Sequence, residues 1–453
     1  MICWRNVREN GGFAERKIMT SEDLNRSAVS RRQFLGRSAQ SAASVAVGVV
    51  GLTAATAVIA SGRSANERLG LGLIGLRNQG KLLAVELAKL GDVEIRSLCD
   101  VDETQFSPAL HAVTQSGHNA PSLERDFRRL LDDRSIDAVV IATPDHWHAS
   151  MTRLACQAGK DVYVESPSTH FVGEGAEMLS TAQREQRVVQ VGLQQRSGLH
   201  FQSAMEFLRS GRLGQVKLAK AWIIHRRKSI GHKLDCDVPA QVDYAQWLGP
   251  APARAFNPNR FHFNWRWFWD YGGGELAHWG VHMLDVARWG LGVDLPTRIS
   301  AVGGNYSFND DQQTPDTLAV QFAYPEKTIL WEHRLWSSHG MEGRSSGVSF
   351  HGERGTLVVD RGGWKVYDHT ENVTAEASEL QSAHLRNFLD CVKSRQSPHA
   401  DLIVGNTAST LCHLGNAAYR LGREICFDPR RQQCDNDDTA NQILLNSAGV
   451  YAS

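Results

Sequence analysis

Residues 68–100 read RLGLGLIGLRNQGKLLAVELAKLGDVEIRSLCD. The run from Arg68 to Gly75 is apolar, like a strand buried on both faces. Asn78 to Leu90 has a helical repeat, and Val93 to Cys99 is a second strand ending at Asp100. A βαβ unit of this length with an acid closing its second strand is the pattern of a dinucleotide-binding fold. Asp100 lies twenty residues beyond Gly80, where such an acid hydrogen-bonds the adenosine ribose. No arginine follows at once to receive a 2′-phosphate, which favours NAD over NADP. The glycine fingerprint is incomplete: GxGxxG would put glycines at 75, 77 and 80, and the chain has Gly75, Arg77 and Gly80. Arg77 crowds the pyrophosphate unless its guanidinium swings out to pair with phosphate.

Strand and helix patterns keep alternating downstream. Ile136 to Ala142 predicts a strand, Asp145 to Gly159 a helix, Asp161 to Val164 a strand, Gly173 to Gln186 a helix and Val188 to Gly192 a strand. The fold class expected is α/β: a doubly wound parallel sheet with its ligand at the carboxyl ends of the strands. Those ends carry Thr143-Pro144-Asp145-His146-Trp147-His148, Glu165-Ser166-Pro167 and Gln194-Gln195-Arg196. His146 and His148 suit capping or packing as well as a site.

After Gln202 the pattern changes. A short helix to Arg209 leads to a strand at Val216 to Ile224 and a basic loop, HRRKSIGHK, which reads as a solvated rim. Strand-like runs follow at Arg298 to Val302, Thr317 to Tyr324, Thr328 to Trp336, Gly347 to His351, Thr356 to Asp360 and Trp364 to Tyr367. They predict a second α/β domain with an open, mostly antiparallel sheet, closed by amphipathic helices at His384 to Ser394 and Asn406 to Leu421. The division expected is a leader at 1–65, a nucleotide-binding domain at 66–192, a second domain at 193–430 and a polar tail at 431–453.

The second domain carries the densest chemistry, FNPNRFHFNWRWFWDYGGGELAHWGVHMLDVARW from Phe256 to Trp289, with 5 of the chain's 12 Trp. Alternation of Trp265, Trp267 and Trp269 predicts a strand with Arg266, Phe268 and Asp270 on its other face, broken by Gly272, Gly273 and Gly274. Glu275 then sits near a helix N-terminus, and His278, His282 and Asp285 fall at i, i+4 and i+7, on one helical face. Such residues also serve as hydrogen-bonded core, and His278, His282 and Asp285 could instead hold a metal. Against the metal, the Glu of HExxH is absent and no third soft ligand is evident.

With 42% hydrophobic and 22% charged residues, the composition is that of a globular protein. Formal net charge is zero, made of +5 over residues 1–65 and −5 over the rest, which argues against a nucleic-acid groove. Eight Cys with no CxxC pair read as buried thiols, with Cys412 and Cys426 placed to face a partner. The leader contains Ser30-Arg31-Arg32-Gln33-Phe34-Leu35-Gly36, similar to a twin-arginine export signal, before an uncharged run rich in Ala, Val and Gly. Export to the periplasm through the twin-arginine machinery is expected, with a membrane tether if the run stays uncleaved.

Together LGLIG, CDVD, ATPDHWHA, DVYVESP, the GGG-x-L-x-x-x-G-x-H-x-x-D run at 272–285 and GERGTL at 352–357 resemble the glucose-fructose oxidoreductase and inositol dehydrogenase family. The resemblance spans Arg68 to Asp428. It implies NAD-dependent hydride transfer on a small sugar or cyclitol, and a second-domain sheet that mediates homo-oligomers. By position it assigns Gly75 and Gly80 to the pyrophosphate, Asp100 to the ribose, and Thr143, Pro144 and Glu165 to the nicotinamide half; Arg77 and His148 join them as candidate cofactor contacts. His282 matches the family's catalytic histidine, with His278, Asp285 and Ser166 beside it in the chemistry, and Arg196, Trp265, Trp267 and Asp270 are the candidate substrate contacts. Two positions depart from the family: Glu-Lys-Pro becomes Glu165-Ser166-Pro167, which removes a lysine, and His278 stands where Asp or Asn is common.

Three expectations follow. The protein is an NAD-dependent sugar oxidoreductase; or it keeps NAD bound and uses transient oxidation to cleave a glycoside; or it is a binding protein that retained the scaffold.

Overall fold

The computed structural model describes residues 68–367 and 373–445; the leader, with its Arg31-Arg32 pair, lies outside them. Six strands form the first sheet: β1 (Leu69–Ile74), β2 (Val93–Cys99), β3 (Ser122–Glu124), β4 (Ala138–Ile141), β5 (Asp161–Val164) and β6 (Val189–Val191). They lie in the order β3-β2-β1-β4-β5-β6, all parallel, so strand order reverses between β1 and β4 and opens a crevice at their carboxyl ends. β1, β4, β5 and β6 are buried at every position, which is why their sequences read as continuous apolar runs.

The second sheet has ten strands. β7 (Val216–Ile224), β8 (Arg298–Gly304), β9 (Thr317–Ala323), β10 (Thr328–Arg334), β11 (Ser346–Gly352), β12 (Gly355–Asp360), β13 (Gly363–Tyr367), β14 (Thr374–Glu376), β15 (Ile425–Asp428) and β16 (Gln433–Cys434) order as β14-β13-β12-β11-β7-β10-β9-β8-β15-β16. Only the β7–β10 pairing is parallel, matching the expected mostly antiparallel sheet. Along β9 and β10 buried residues alternate with more exposed ones, so one face packs inward, beneath the helices Val281–Leu291 and Leu402–Leu421.

Three expectations are corrected. Trp265, Trp267 and Trp269 do not form a strand: His262–Trp267 is a short 3₁₀ helix entered through His262 at φ 50°. At about three residues per turn alternating residues leave a common face, so Trp267 is buried in an aromatic cluster with Tyr244, Trp247, Phe256, Phe261 and Tyr271 while Trp265 stays partly exposed. Gly272 permits this approach, since a Cβ there would lie 2.9 Å from the Trp265 ring and 3.0 Å from the Arg266 Cα.

Helix Gln381–Ser394 does not close the second domain. Leu385, Phe388, Leu389 and Val392 form an i, i+3, i+4, i+7 stripe that joins the cluster of Leu71, Leu73, Leu83, Val140 and Tyr163 on the first sheet. The chain therefore returns to cover the nucleotide-binding half after building the second sheet. Beyond Asp428, β16 and helix Asp438–Leu445 continue the fold, with Ala440 and Leu444 buried. Cys412 is fully buried and Cys426 exposed. Among the described residues no helix is long and apolar enough to cross a membrane.

Candidate functional site

A cleft of about 490 Å³ lies at the carboxyl ends of the first sheet and is lined by Gly75, Arg77, Asp100, Thr143, Pro144, His148, Glu165, Ser166, Trp265, His278 and His282, among others. Residues separated by two hundred positions thus share one cavity. The turn after β1 is built for close approach: Gly75 has φ +84°, and its Cβ would lie 2.7 Å from the Ala142 carbonyl. A Cβ on Gly80 would lie 1.8 Å from the Gly75 carbonyl oxygen, so helix Gln79–Ala88 can start against the strand only with glycine there. Arg77, between them, is exposed at the cleft wall.

Asp100 Oδ2 accepts the Leu76 N–H at 2.7 Å and Oδ1 the Asp102 N–H at 3.0 Å. Burial pushes its carboxyl up to about 6, although those N–H groups work in the opposite direction. His148 ties two loops together, its ring nitrogens lying 2.8 Å from the Thr143 carbonyl and 2.7 Å from that of Pro167. Glu165 Oε1 accepts from Gln79 Nε2 at 2.9 Å and the Tyr163 hydroxyl at 3.2 Å, and burial raises its carboxyl. The Thr143 hydroxyl is buried without a partner among the described residues. Glycines a Cβ would block, an acid anchored at the second strand's end and an unpartnered hydroxyl on the cleft wall fit a dinucleotide, which Gly75 and Gly80 could hold at the pyrophosphate, Asp100 at the ribose, and Thr143, Pro144 and Glu165 around the nicotinamide.

At the other end, Leu276–Gly280 is a π-helical turn running into helix Val281–Leu291. Such turns recur at functional sites. His278 and His282 both face the cleft, and Ser166 Oγ lies 3.5 Å from His282 Nε2. Burial first, then the Arg361 charge, drives His282 down to about 3, against the pull of Asp285; its Nδ1 is buried without a partner among the described residues. Arg266 Nη1 lies 2.6 Å from His278 Nε2; burial and that guanidinium hold the imidazole well below its ordinary value, so it accepts.

The fold does not bring every candidate into the cleft. Asp285 faces away, its oxygens accepting from Arg196 at 2.7 and 2.8 Å and from Arg288 at 3.1 Å, and these arginines outweigh the burial that opposes its charge. Arg196 is spent on that pair and stacks on Trp289 at 4.4 Å. Trp267 lies in the aromatic cluster, and Asp270 is buried against Arg254. Neither lines the cavity. Glu275, fully buried, opposes burial's effect through His225 and Arg227 and stays below the usual carboxylate range.

Several lining residues were not among the assigned candidates: Asp145 and Arg266, read only as a strand-end residue and as part of the Trp-rich stretch, and Gln79, His262, Trp279 and Arg361. Burial pushes Asp145 up to about 8, with Arg266 working against that rise. Arg361 lies in a turn between β12 and β13, 79 positions beyond His282, and nothing local marks it. Among the described residues no three His, Cys, Asp or Glu side chains converge as metal ligands.

Residues 46–193 match the oxidoreductase family's NAD-binding Rossmann fold, and residues 227–450 its C-terminal alpha/beta domain. A glycosyl hydrolase family 109 protein of Saccharopolyspora erythraea is 30% identical over 226 residues, 46% of this chain and 48% of that protein. The uncharacterized oxidoreductase YrbE of Bacillus subtilis is 27% identical over 237 residues, 52% of this chain and 58% of that protein. The chain thus spans about half the length of these curated relatives. Among solved structures, aldose-aldose oxidoreductase from Caulobacter crescentus complexed with glycerol superposes with a TM-score of 0.62 at 18% identity, covering 80% of this chain and 100% of that one. Levoglucosan dehydrogenase in complex with NADH gives 0.62 at 16% identity, covering 80% and 99%. Those likenesses establish the shared fold. With both halves matched in order, the chain belongs to the glucose-fructose oxidoreductase and inositol dehydrogenase family of oxidoreductases, built on an NAD-binding Rossmann domain.

Proposed function

We propose that this protein is an exported NAD-dependent oxidoreductase acting on a sugar, cyclitol or glycoside. What carries the reading is that His282, His278 and Ser166 line the same cleft as Gly75, Asp100 and Thr143. When bound, NAD supplies hydride acceptance from a carbinol carbon. The chain's own part is to hold the hydroxyl on that carbon and take its proton. His282 Nε2, open to the cleft beside Ser166 Oγ, is the acceptor, while Ser166 and His278 orient the hydroxyl. Phe263, Trp265 and Trp279 line the cleft and restrict water around the reacting carbon. By the resemblance, Ser166 stands where the family has a lysine; in this reading a hydroxyl takes that place and the proton work falls on the two histidines.

A second reading, net glycoside cleavage with NAD tightly held, is favoured by the relatives named glycosyl hydrolase family 109. In it, His282 would take the hydroxyl proton as hydride leaves that carbon and pass it to solvent. Removal of the proton beside the new carbonyl would then expel the aglycone, which leaves with a proton from solvent. Water would add at the vacated carbon, and return of the hydride and a proton would restore the hydroxyl. Mass spectrometry of small molecules released by heating the purified protein tests both readings. Bound NAD or NADH is expected, followed by NADH formation with free sugars or by aglycone release from glycosides. A protein that released no nicotinamide and bound none would sink both readings and leave the binding-scaffold alternative.

Export rests on the Arg31-Arg32 pair and the uncharged run after it. Replacing both arginines with Lys should retain the protein in the cytoplasm, and unaltered fractionation would refute export. For self-association, Val302 on β8 is 70% exposed and Tyr306 just beyond it 68%. Light scattering that returned a monomer at micromolar concentration would end the homo-oligomer reading.

A further inference from the structure

Two guanidinium groups face the candidate substrate end of the cleft without carboxylates of their own. Arg361, between β12 and β13, lines the cavity with His282, Ser166 and Glu165, and its guanidinium lies over the Trp279 ring, 4.7 Å from the centroid. Arg266 is 7% exposed, donates from Nε to the Phe263 carbonyl at 2.7 Å, and stacks on Phe263 at 4.1 Å and Trp265 at 5.1 Å. Among the described residues neither makes an ion pair, although Arg266 feels the charges of Asp145 and Glu275 and Arg361 that of Glu165. Arg196 and Arg288 pair with Asp285 and Arg227 with Glu275, while Arg77 lies at the nucleotide end of the same cleft.

The cleft's acids are committed elsewhere. Asp100 is held by two backbone N–H groups on the nucleotide side. Glu165, the carboxylate whose charge Arg361 feels, is outside ion-pair distance, and its oxygens already accept from Gln79, Tyr163 and the Ser166 N–H. Asp145, pushed up to about 8 by burial, has little negative charge to lend at neutral pH. A guanidinium stacked on an indole keeps its N–H edge for a planar acceptor, and it cannot give up its proton, so Arg361 does not substitute for the missing lysine as an acid.

We propose that the substrate carries a carboxylate, gripped by Arg361 with Arg266 as a second positive charge: a sugar acid, or a glycoside of one. This rests on the sugar-oxidoreductase reading and narrows its substrate class. The charge pattern around the base agrees with it. After burial, the Arg361 charge is the next largest influence holding His282 down at about 3, where imidazole is a weak base. A carboxylate docked on Arg361 cancels that charge, so the base strengthens as substrate arrives.

The test uses the NAD-loaded full chain and calorimetry with matched pairs that differ by one carboxylate: p-nitrophenyl glucuronide against glucoside, and galacturonate against galactose. In at least one pair the acid should bind about tenfold tighter, as expected for a charge-assisted bidentate contact. Arg361→Gln should bring that ratio to within twofold of one, with NAD content from heat release verifying the fold. Should that variant hold no NAD, Arg361→Lys, which keeps the charge and loses the planar fork, must lower the ratio at least threefold. Neutral sugars binding as tightly as their acids, or a ratio indifferent to residue 361, overturns the inference. If neutral sugars bind and reduce NAD, the oxidoreductase reading survives alone; if neither member of any pair binds, both fall.

Discussion

Ser166 Oγ and His282 Nε2 stand 3.5 Å apart, linking the loop after β5 of the first sheet to the helix under the second. That spacing leaves the imidazole free to turn toward a substrate hydroxyl. His282→Ala should lower turnover by about 10² to 10⁴ while the purified protein still releases NAD on heating. Normal turnover in that variant would remove His282 from the mechanism.

Asp100 gives a pH dependence whose sign is fixed by its environment. Its carboxyl is raised from 3.8 to about 6 in the folded protein. It therefore favours folding fully below pH 3.8, and that contribution is lost as pH rises through 6. Ribose hydroxyls favour the ionised carboxylate, so NAD affinity should be full above pH 6 and fall by up to about tenfold per pH unit below it. NADH fluorescence titrations between pH 5 and 8 would measure this. Asp100→Asn should bind about 10- to 100-fold more weakly, with the pH dependence gone; a native-like slope in that variant would assign it to another group.

Asp285 and Arg196 are at most 10% exposed and paired through two hydrogen bonds, which makes their role testable apart from chemistry. Removing one partner leaves a buried uncompensated charge. Asp285→Ala should thus lower unfolding free energy by about 3–5 kcal/mol in urea titrations. Because Arg288 also donates to Asp285, the triple variant Asp285→Leu with Arg196→Leu and Arg288→Leu, which removes all three charges, should recover much of that loss. If Asp285→Ala kept full stability and lost turnover, Asp285 would belong to the reaction and not to the scaffold.

Phe388 is fully buried in the first sheet's cluster although it follows the last long strand of the second sheet. Phe388→Ala should destabilise by about 3–5 kcal/mol. It should also raise NADH dissociation, because the sheet that carries the phosphate turn loses a packing partner. Calorimetric unfolding and stopped-flow fluorescence would read the two effects, and a change below about 1 kcal/mol would show that the helix merely rests on the sheet.

How much of this was legible depends on how local each cause is. The parallel sheet was readable because β1, β4 and β5 are buried at every position and so appear as unbroken apolar runs. Gly75, Gly80, Asp100 and His282 were readable because turn geometry and helical spacing act within a few residues. The Trp265–Trp269 alternation misled because aromatic spacing of two also arises in a 3₁₀ turn, and what buries Trp267 is the cluster with Tyr244 and Trp247, far upstream in the sequence. Asp285 and Arg196 were each plausible in a site. Only the fold, by bringing them within 2.7 Å, turns two candidates into one buried pair. Arg361 was invisible for the converse reason: an arginine in a hairpin turn has no pattern until the sheet carries it to His282.

The tightest glycine provides the sharpest test of the cofactor end. A Cβ on Gly80 would sit 1.8 Å from the Gly75 carbonyl, far inside contact distance, and the obstacle is backbone, so helix Gln79–Ala88 would have to move away from β1. Displacement of that helix also withdraws the N–H groups at its start from the position an anion would take. Gly80→Ala should therefore weaken NAD binding by at least about 100-fold, roughly 2.7 kcal/mol by the affinity relation. Gly91→Ala is the control, since a Cβ there meets nothing within 4 Å. Equal NAD affinity in the two variants would mean that the turn between β1 and its helix does not hold the pyrophosphate, and the cofactor's orientation in the cleft would have to be reversed.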